Sequence, residues 1–159
     1  DADARAVQAM YWAKRWADGK VENGGVKLQV VINGNLTVKS GGLITHPASG
    51  KIDINAKNIS LEPGSRIIAD SAYGCDGGLI RISTSGDFNI FGMITADGDK
   101  TQGGKGGAIY LDAGTFGGRN AVITADGGYN KSNPDNHGVF VPRGGGKISG
   151  LVSTSSGEK

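Results

Sequence analysis

The chain has 159 residues, of which 29 are glycine and only 4 are proline, so that glycine far exceeds its average share of ~7% and a collagen-like or proline-rich chain is excluded. Its 17 basic and 15 acidic residues give a formal net charge of +2, which favours neither a nucleic-acid partner nor an anionic membrane surface. The single cysteine, Cys75, excludes an intrachain disulfide framework. No apolar stretch approaches the ~20 residues of a membrane span.

The first predicted element is an α-helix from Asp3 to Asp18, which is rich in alanine. Trp12 and Trp16 are four residues apart and therefore share one face of this helix. We expect the helix to cap the domain that follows, so that residues 1–25 form the cap and a link, and residues 26–159 form the main domain. A helix lying on a membrane surface is the alternative. Because the sequence begins with Asp1 rather than methionine, we expect a processed chain or a piece of a longer one.

From Val26 onward the pattern changes to short alternations of apolar and polar residues, bounded by Gly, Asn, Asp or Ser, which is typical of β-strands. The strands fall into three families that recur in the same order. The first family is centred on Leu28, Ile52, Ile80, Ile109 and Ile148, the second on Leu36, Ile59, Phe88 and Phe116, and the third on Leu43, Ile67 or Ile68, Ile94 and Ile123.

One segment of the third family is repeated almost letter for letter. Met93-Ile-Thr-Ala-Asp-Gly98 returns as Val122-Ile-Thr-Ala-Asp-Gly127, and a looser copy ends at Asp70. The aspartates are 27 and 29 residues apart, and a short strand repeated at such a period indicates a solenoid. The sequence therefore predicts an all-β fold, a single parallel β-helix of about four to five coils that stack on one another.

The glycine-rich runs Gly104–Phe116, Ile123–Gly128 and Gly144–Ile148 resemble the right-handed β-helix repeats of large bacterial secreted and surface proteins, including adhesin-like ones. The resemblance covers about Val26 to Ser155. It implies a right-handed β-helix, a secreted or cell-surface location, and association with carbohydrate or with a cell surface. It carries over no catalytic motif.

Asp70, Asp97 and Asp126 end equivalent strands and are expected to form a column of like charges along the solenoid. One hypothesis places a cation such as Ca²⁺ between them. The alternative, favoured because the Ca²⁺-binding Gly-Asp nonapeptide is absent, is that each carboxylate caps its own turn. His46 is predicted to occupy the position equivalent to Asp70 and to complete a turn.

The coils grow mainly at the connection from the third strand to the next first strand, over Ser71–Gly78, Gly98–Gly107 and Gly127–Gly146. Insertions at one corner of a solenoid project from one edge, which is often the binding edge. Aromatic and polar side chains here are suited to stacking on sugar rings and bonding their hydroxyls. A glycan-binding edge is therefore one interpretation of this corner, and a floppy or self-packed surface loop is the other. Its candidate binding residues are Tyr73, Tyr129, Asn136, His137, Phe140 and Arg143.

Other chemistry finds little support in the sequence. His46 and His137 lie in different coils without the spacing of a metal site, and Cys75 is expected to be an inert thiol. No pair of carboxylates marks a hydrolase. We therefore predict a non-catalytic structural or adhesive module with no required cofactor, and keep a carbohydrate-active β-helix enzyme as the alternative.

The segment from Leu151 to Ser155 predicts an open strand edge, which can pair with another chain. An end-to-end contact that does not close on itself produces a filament. A self-assembling extracellular filament is therefore a second alternative, with Trp12, Trp16 and Leu151 as its candidate assembly residues. The partners expected across these hypotheses are surface or matrix glycans, a surface protein, or further copies of the chain.

Overall fold

A computed structural model of the protein describes residues 2–3, 27–46, 50–71 and 75–157. Over these residues the chain forms strands and no helix. In chain order the strands are β1 (Ala2–Asp3), β2 (Lys27–Val31), β3 (Asn35–Val38), β4 (Leu43–Thr45), β5 (Lys51–Ala56), β6 (Asn58–Leu61), β7 (Arg66–Ile68), β8 (Leu79–Thr84), β9 (Asp87–Ile90), β10 (Met93–Thr95), β11 (Ala108–Gly118), β12 (Ala121–Thr124), β13 (Val139–Gly146) and β14 (Gly150–Ser153).

The described strands wind into a β-solenoid of about four turns, and every pairing among them is parallel. A 9-stranded sheet contains the first and second strands of each coil, in the order β1-β3-β6-β9-β11-β8-β5-β2, with β13 paired to β11. The long β11 joins the two halves of this sheet, because Ala108–Asp112 pair with β8 and Thr115–Gly118 pair with β9. The third strands form a 5-stranded sheet in the order β14-β12-β10-β7-β4.

The core consists of columns of equivalent residues, since alternate side chains of each strand point inward. In the first column Leu28, Ile52, Ile80 and Ile109 are stacked in register and buried. Aromatic rings join a second column, where the Phe88 and Phe116 ring centroids are 6.1 Å apart. No coil encloses its apolar side chains by itself, so stacking is what removes them from water.

The predicted stacking of the repeated segment is confirmed. Met93 pairs with Val122 and Thr95 pairs with Thr124, which places the two copies in adjacent coils. The assignment of the first and second strand families is also confirmed, up to the coil that contains Phe116.

Two register predictions are wrong. In the third family, Leu43 was predicted to point inward. The inward residue of β4 is instead Ile44, which pairs with Ile67. Ile148 was predicted to be the fifth member of the first family. That position is occupied by Phe140, which pairs with Ile109. Ile148 lies after β13 and packs against the core from there. The loop before β13 therefore ends at about residue 138, and the predicted Gly144–Gly146 part of the corner belongs to a strand.

The predicted N-terminal helix lies outside the described residues except for its first residue. Asp3 is extended in β1, where it pairs with Thr37 of β3. Over the described ranges, no helix has the length and apolar character needed to cross a bilayer.

Candidate functional site at the loop edge

Three of the connections from a third strand to the first strand of the next coil form what we term the loop edge. They span residues 70–77, of which 70–71 and 75–77 are described, residues 97–106 and residues 126–137. The same hydrogen bond closes each loop, because a glycine N–H donates to the carbonyl of an alanine at the end of the preceding strand. The pairs are Gly78–Ala69 at 2.8 Å, Gly107–Ala96 at 2.7 Å and Gly138–Ala125 at 2.9 Å. Successive loops are longer, but all of them leave and rejoin the solenoid at equivalent points.

Asp70, Asp97 and Asp126 begin these loops and form a ladder. The Asp97 N–H donates to Oδ1 of Asp70, and the Asp126 N–H donates to Oδ1 of Asp97, both at 2.8 Å. Oδ1 of Asp126 accepts the N–H of Ser155 and the hydroxyl of Ser153, both at 2.6 Å. Each carboxylate therefore caps the backbone of the next coil, whereas the sequence predicted a bond within its own turn. Among the described residues, no three His, Cys, Asp or Glu side chains are grouped so that they could hold a metal ion.

The fold changes the acidity of Asp70, the first carboxyl of this ladder. Burial disfavours its charged form and raises its pKa, and the nearby charge of Asp97 acts in the same direction. The N–H of Asp97 and the ammonium of Lys100 oppose the rise without cancelling it. Folding therefore favours the protonated form of Asp70.

We expect the Asp70→Asn substitution to change how stability depends on pH. A carboxyl whose pKa is higher in the folded chain than its ordinary value of 3.8 binds more protons when folded, so stability falls as the pH rises through this interval. Asparagine keeps an oxygen acceptor for the Asp97 N–H but does not ionise. The free energy of unfolding of the variant, relative to the wild type, should therefore be higher at neutral pH than in acid. Urea unfolding at both pH values measures this difference.

The control for this substitution is Asp135→Asn, because Asp135 is an exposed residue of the third loop. An equal pH-dependent change in both variants would contradict the role of burial at Asp70.

The third loop is held by a buried side chain, that of Asn136. Its side chain is 2% exposed, and Nδ2 lies 2.6 Å from the Gly103 carbonyl, 2.9 Å from the Gly104 carbonyl and 3.0 Å from the Gly128 carbonyl. Three acceptors around one nitrogen fix the orientation of the amide, because only the NH₂ group can donate to them. Asn136 therefore joins the third loop to the second, and its amide does not face solvent.

The second loop is ordered in a similar way by Asp99, which is buried. Its Oδ1 accepts the N–H and the hydroxyl of Thr101, both at 2.8 Å. The Asp99 N–H donates to the Cys75 carbonyl of the first loop at 3.1 Å, and the Gly128 N–H of the third loop donates to Gly104 at 2.8 Å. The loops are thus stacked on one another, as the strands are.

An open cavity of about 360 Å³ lies on this edge and is lined by Lys100, Asp126, Tyr129, Ser155 and the glycine backbone next to them. Tyr129 is 39% exposed, so part of its ring is accessible. Lys100 is positioned by Asp97, whose Oδ2 is 3.3 Å from its Nζ. The cavity therefore combines an aromatic surface with a cation, a carboxylate and a hydroxyl, which are groups that recognise a polyhydroxylated ring.

The structure separates the other residues predicted for binding. His137 is exposed on the third loop, with Nδ1 2.9 Å from the Gly138 carbonyl. Phe140 packs against the core from β13. Arg143, also on β13, lies on the outer face of the large sheet and outside the loop edge. Tyr73, Trp12 and Trp16 lie outside the described residues.

His46 is also displaced from its predicted position. Its N–H donates to the Ile68 carbonyl, as the N–H of Ala69 donates to Thr95 and that of Ala96 to Thr124. His46 is therefore equivalent to Ala69 rather than to Asp70, and it is buried. The register error at Ile44 explains this, because it shifts the third strand of that coil, and His46 after it, by one position.

Sequence reasoning missed Ser155 as a lining residue of the cavity, and it missed Arg81 and Tyr110, which lie together on the outer face of the large sheet. Aligning the first strand family would have placed Arg81 beside Tyr110, since they are equivalent positions of successive coils. Ser155 gave no signal, because its role depends on the backbone path after β14. No protein-family model matches the chain, and neither a curated protein nor a solved structure is significantly similar to it.

Proposed function

We propose that this chain is a non-catalytic structural and adhesive module of a secreted or cell-surface protein, and that it binds glycans on the loop edge. The observation that supports this most directly is the cavity in which Tyr129 lies beside Lys100 and Asp126. Aromatic rings bury the apolar faces of sugars, while charged groups and hydroxyls bond the sugar hydroxyls.

Rigid display is the mechanism that we propose for this module. The hydrogen bonds between successive loops hold the cavity in one shape before a ligand arrives, so little conformational entropy is lost on binding. Loops repeated along the axis would let a long glycan meet several coils at once, which raises the overall affinity without a new contact type.

The test is binding of the wild type and two Tyr129 variants to a glycan array, followed by titration of the best ligand. We expect Tyr129→Ala to lower affinity at least tenfold, since the stacking surface is lost, and Tyr129→Phe to retain most of it. Tyr129 is exposed, so neither variant should lose stability. Equal binding by the alanine and phenylalanine variants, or no glycan binding by the wild type, would overturn the proposal.

Two finer features belong to the same proposal. The coil is right-handed, as in nearly all connections between parallel strands of one sheet. We also propose that the predicted helix, starting after the strand residue Asp3, covers the first coil with Trp12 and Trp16, because the end of a solenoid otherwise exposes apolar core and unpaired strand groups. An experimental structure of the full chain tests both features.

A filament subunit is the second candidate function, favoured by one observation. Leu151 and Val152 are 60% and 42% exposed, and their strand β14 pairs only with β12 among the described strands. An exposed apolar edge strand is a template for pairing with another chain. Filaments that lengthen with protein concentration under the electron microscope would favour this candidate, and a monomer at all concentrations would exclude it.

A further inference from the structure

A second group of side chains with binding chemistry lies on the outer face of the large sheet, on strands β8, β11 and β13. Arg81, Tyr110 and Val141 occupy equivalent positions of three successive coils, and Ser83, Asp112 and Arg143 occupy the next outward positions. Strands in a sheet are ~4.8 Å apart, so neighbouring members of each set lie side by side. These six residues line what we term the arginine groove, which has a volume of about 280 Å³.

Its two arginines differ in how they are held. The guanidinium carbon of Arg81 lies 5.4 Å from the centroid of the Tyr110 ring, which is cation–π distance. Arg143 is exposed, and over the described residues no carboxylate lies within ion-pair distance of it, although Asp112 is its partner in register. With two cations and one carboxylate, Asp112, the six lining residues have a net positive charge.

We propose that the arginine groove binds an acidic saccharide through the carboxylate of a uronic-acid unit. The guanidinium group matches a carboxylate with two parallel hydrogen bonds, and Arg143 is available to make them. The accessible surface of Tyr110 and Val141 contacts the apolar face of the sugar ring. The Asp112 carboxylate and the Ser83 hydroxyl form hydrogen bonds with the ring hydroxyls. A simple anion has no such hydroxyls, so these two groups favour a sugar over it.

The size of the groove agrees with this ligand. Its volume of about 280 Å³ lies just below the range of ~300–1,000 Å³ found for drug-sized ligands, so it would hold only one or two sugar units. A longer chain would extend along the sheet over neighbouring coils. None of the residues that line the arginine groove lines the cavity on the loop edge, so this proposal does not depend on the function proposed above.

The test uses the full chain and a tetramer of galacturonic acid, with the methyl ester of the same tetramer as the uncharged probe. We expect calorimetric titration to show binding of the acid that weakens as salt is added, and at least tenfold weaker binding of the ester. Arg143→Gln should weaken binding of the acid at least tenfold. Arg119→Gln is the matched control, since Arg119 is exposed on the turn before β12 and lies outside the groove.

Further measurements distinguish binding in the arginine groove from binding at the loop edge and from unspecific binding of anions. Tyr129→Ala should leave binding of the acidic tetramer unchanged, so that failure of either site is distinguishable from failure of the other. Circular dichroism of the Arg143→Gln variant checks that it is folded. Equal affinity for the acid and the ester, equal loss in the Arg119 and Arg143 variants, or equally tight binding of an oligo-aspartate peptide or an oligonucleotide would each overturn the proposal.

Discussion

The Gly107→Ala substitution is expected to destabilise the solenoid by at least about 3 kcal/mol, since backbone atoms leave no room for a methyl group. A Cβ at this position would lie 2.1 Å from the Gly78 carbonyl oxygen, 2.7 Å from the Gly77 carbonyl carbon and 2.9 Å from the Ala96 carbonyl oxygen. None of these atoms belongs to a side chain that could turn away. Relief of the overlap requires the two coils to separate, which breaks the bond from the Gly107 N–H to Ala96.

The matched control for this prediction is Gly145→Ala on β13. A Cβ there would meet only the Gly114 carbonyl oxygen, at 3.2 Å, so we expect a loss below about 1 kcal/mol. Urea denaturation followed by circular dichroism measures both variants. Similar losses at the two positions would show that close approach of the backbone at Gly107 is not what requires glycine.

The Asn136→Ala substitution is expected to cost about 2–4 kcal/mol, because the buried carbonyls of Gly103, Gly104 and Gly128 each lose a hydrogen bond from the Asn136 amide. The effect should be concentrated in the third loop, since Asn136 joins that loop to its neighbour. Amide hydrogen exchange should therefore accelerate at Gly128, whose N–H bonds the Gly104 carbonyl, more than in the strands of the core.

Asn133→Ala is the control for this second prediction, because it removes the same side chain from an exposed position of the same loop. We expect the control to change the free energy of unfolding by less than about 0.5 kcal/mol. If the two variants lose equal stability, the buried amide does not hold the loop. Because Tyr129 lies on the loop that Asn136 anchors, Asn136→Ala should also weaken any ligand that binds at the loop edge.

The two predictions connect the fold to the proposed binding surfaces. Stacked loops and stacked strands are stabilised by the same contacts between neighbouring coils, and a change in one coil is transmitted to the next. In this protein the binding surfaces are therefore extensions of the solenoid rather than independent loops. This explains why a buried asparagine, which contacts no ligand, is expected to affect binding at Tyr129.

Much of the architecture could be predicted from the sequence alone. The alternation in segments such as Ile80-Arg-Ile82 specifies which side chains face inward, and the repeated Ile-Thr-Ala-Asp segments specify that their strands lie in adjacent coils. Those signals are local in the chain and strong, because each strand must bury one face. They determined the solenoid, the first two strand families up to the coil that contains Phe116, and the position of the loop edge.

Only the tertiary structure decided the register of the third strand, the start of β13 and the partners of the aspartates, because local patterns leave these ambiguous. Leu43 and Ile44 are both apolar, so only the stacking on Ile67 selects Ile44 as the inward residue. The loop before β13 has no regular period, so only its packing around Asn136 sets where the strand begins and selects Phe140 over Ile148. The partners of the aspartate ladder are backbone groups of the next coil, and no pattern within one coil reveals which distant N–H a carboxylate will meet.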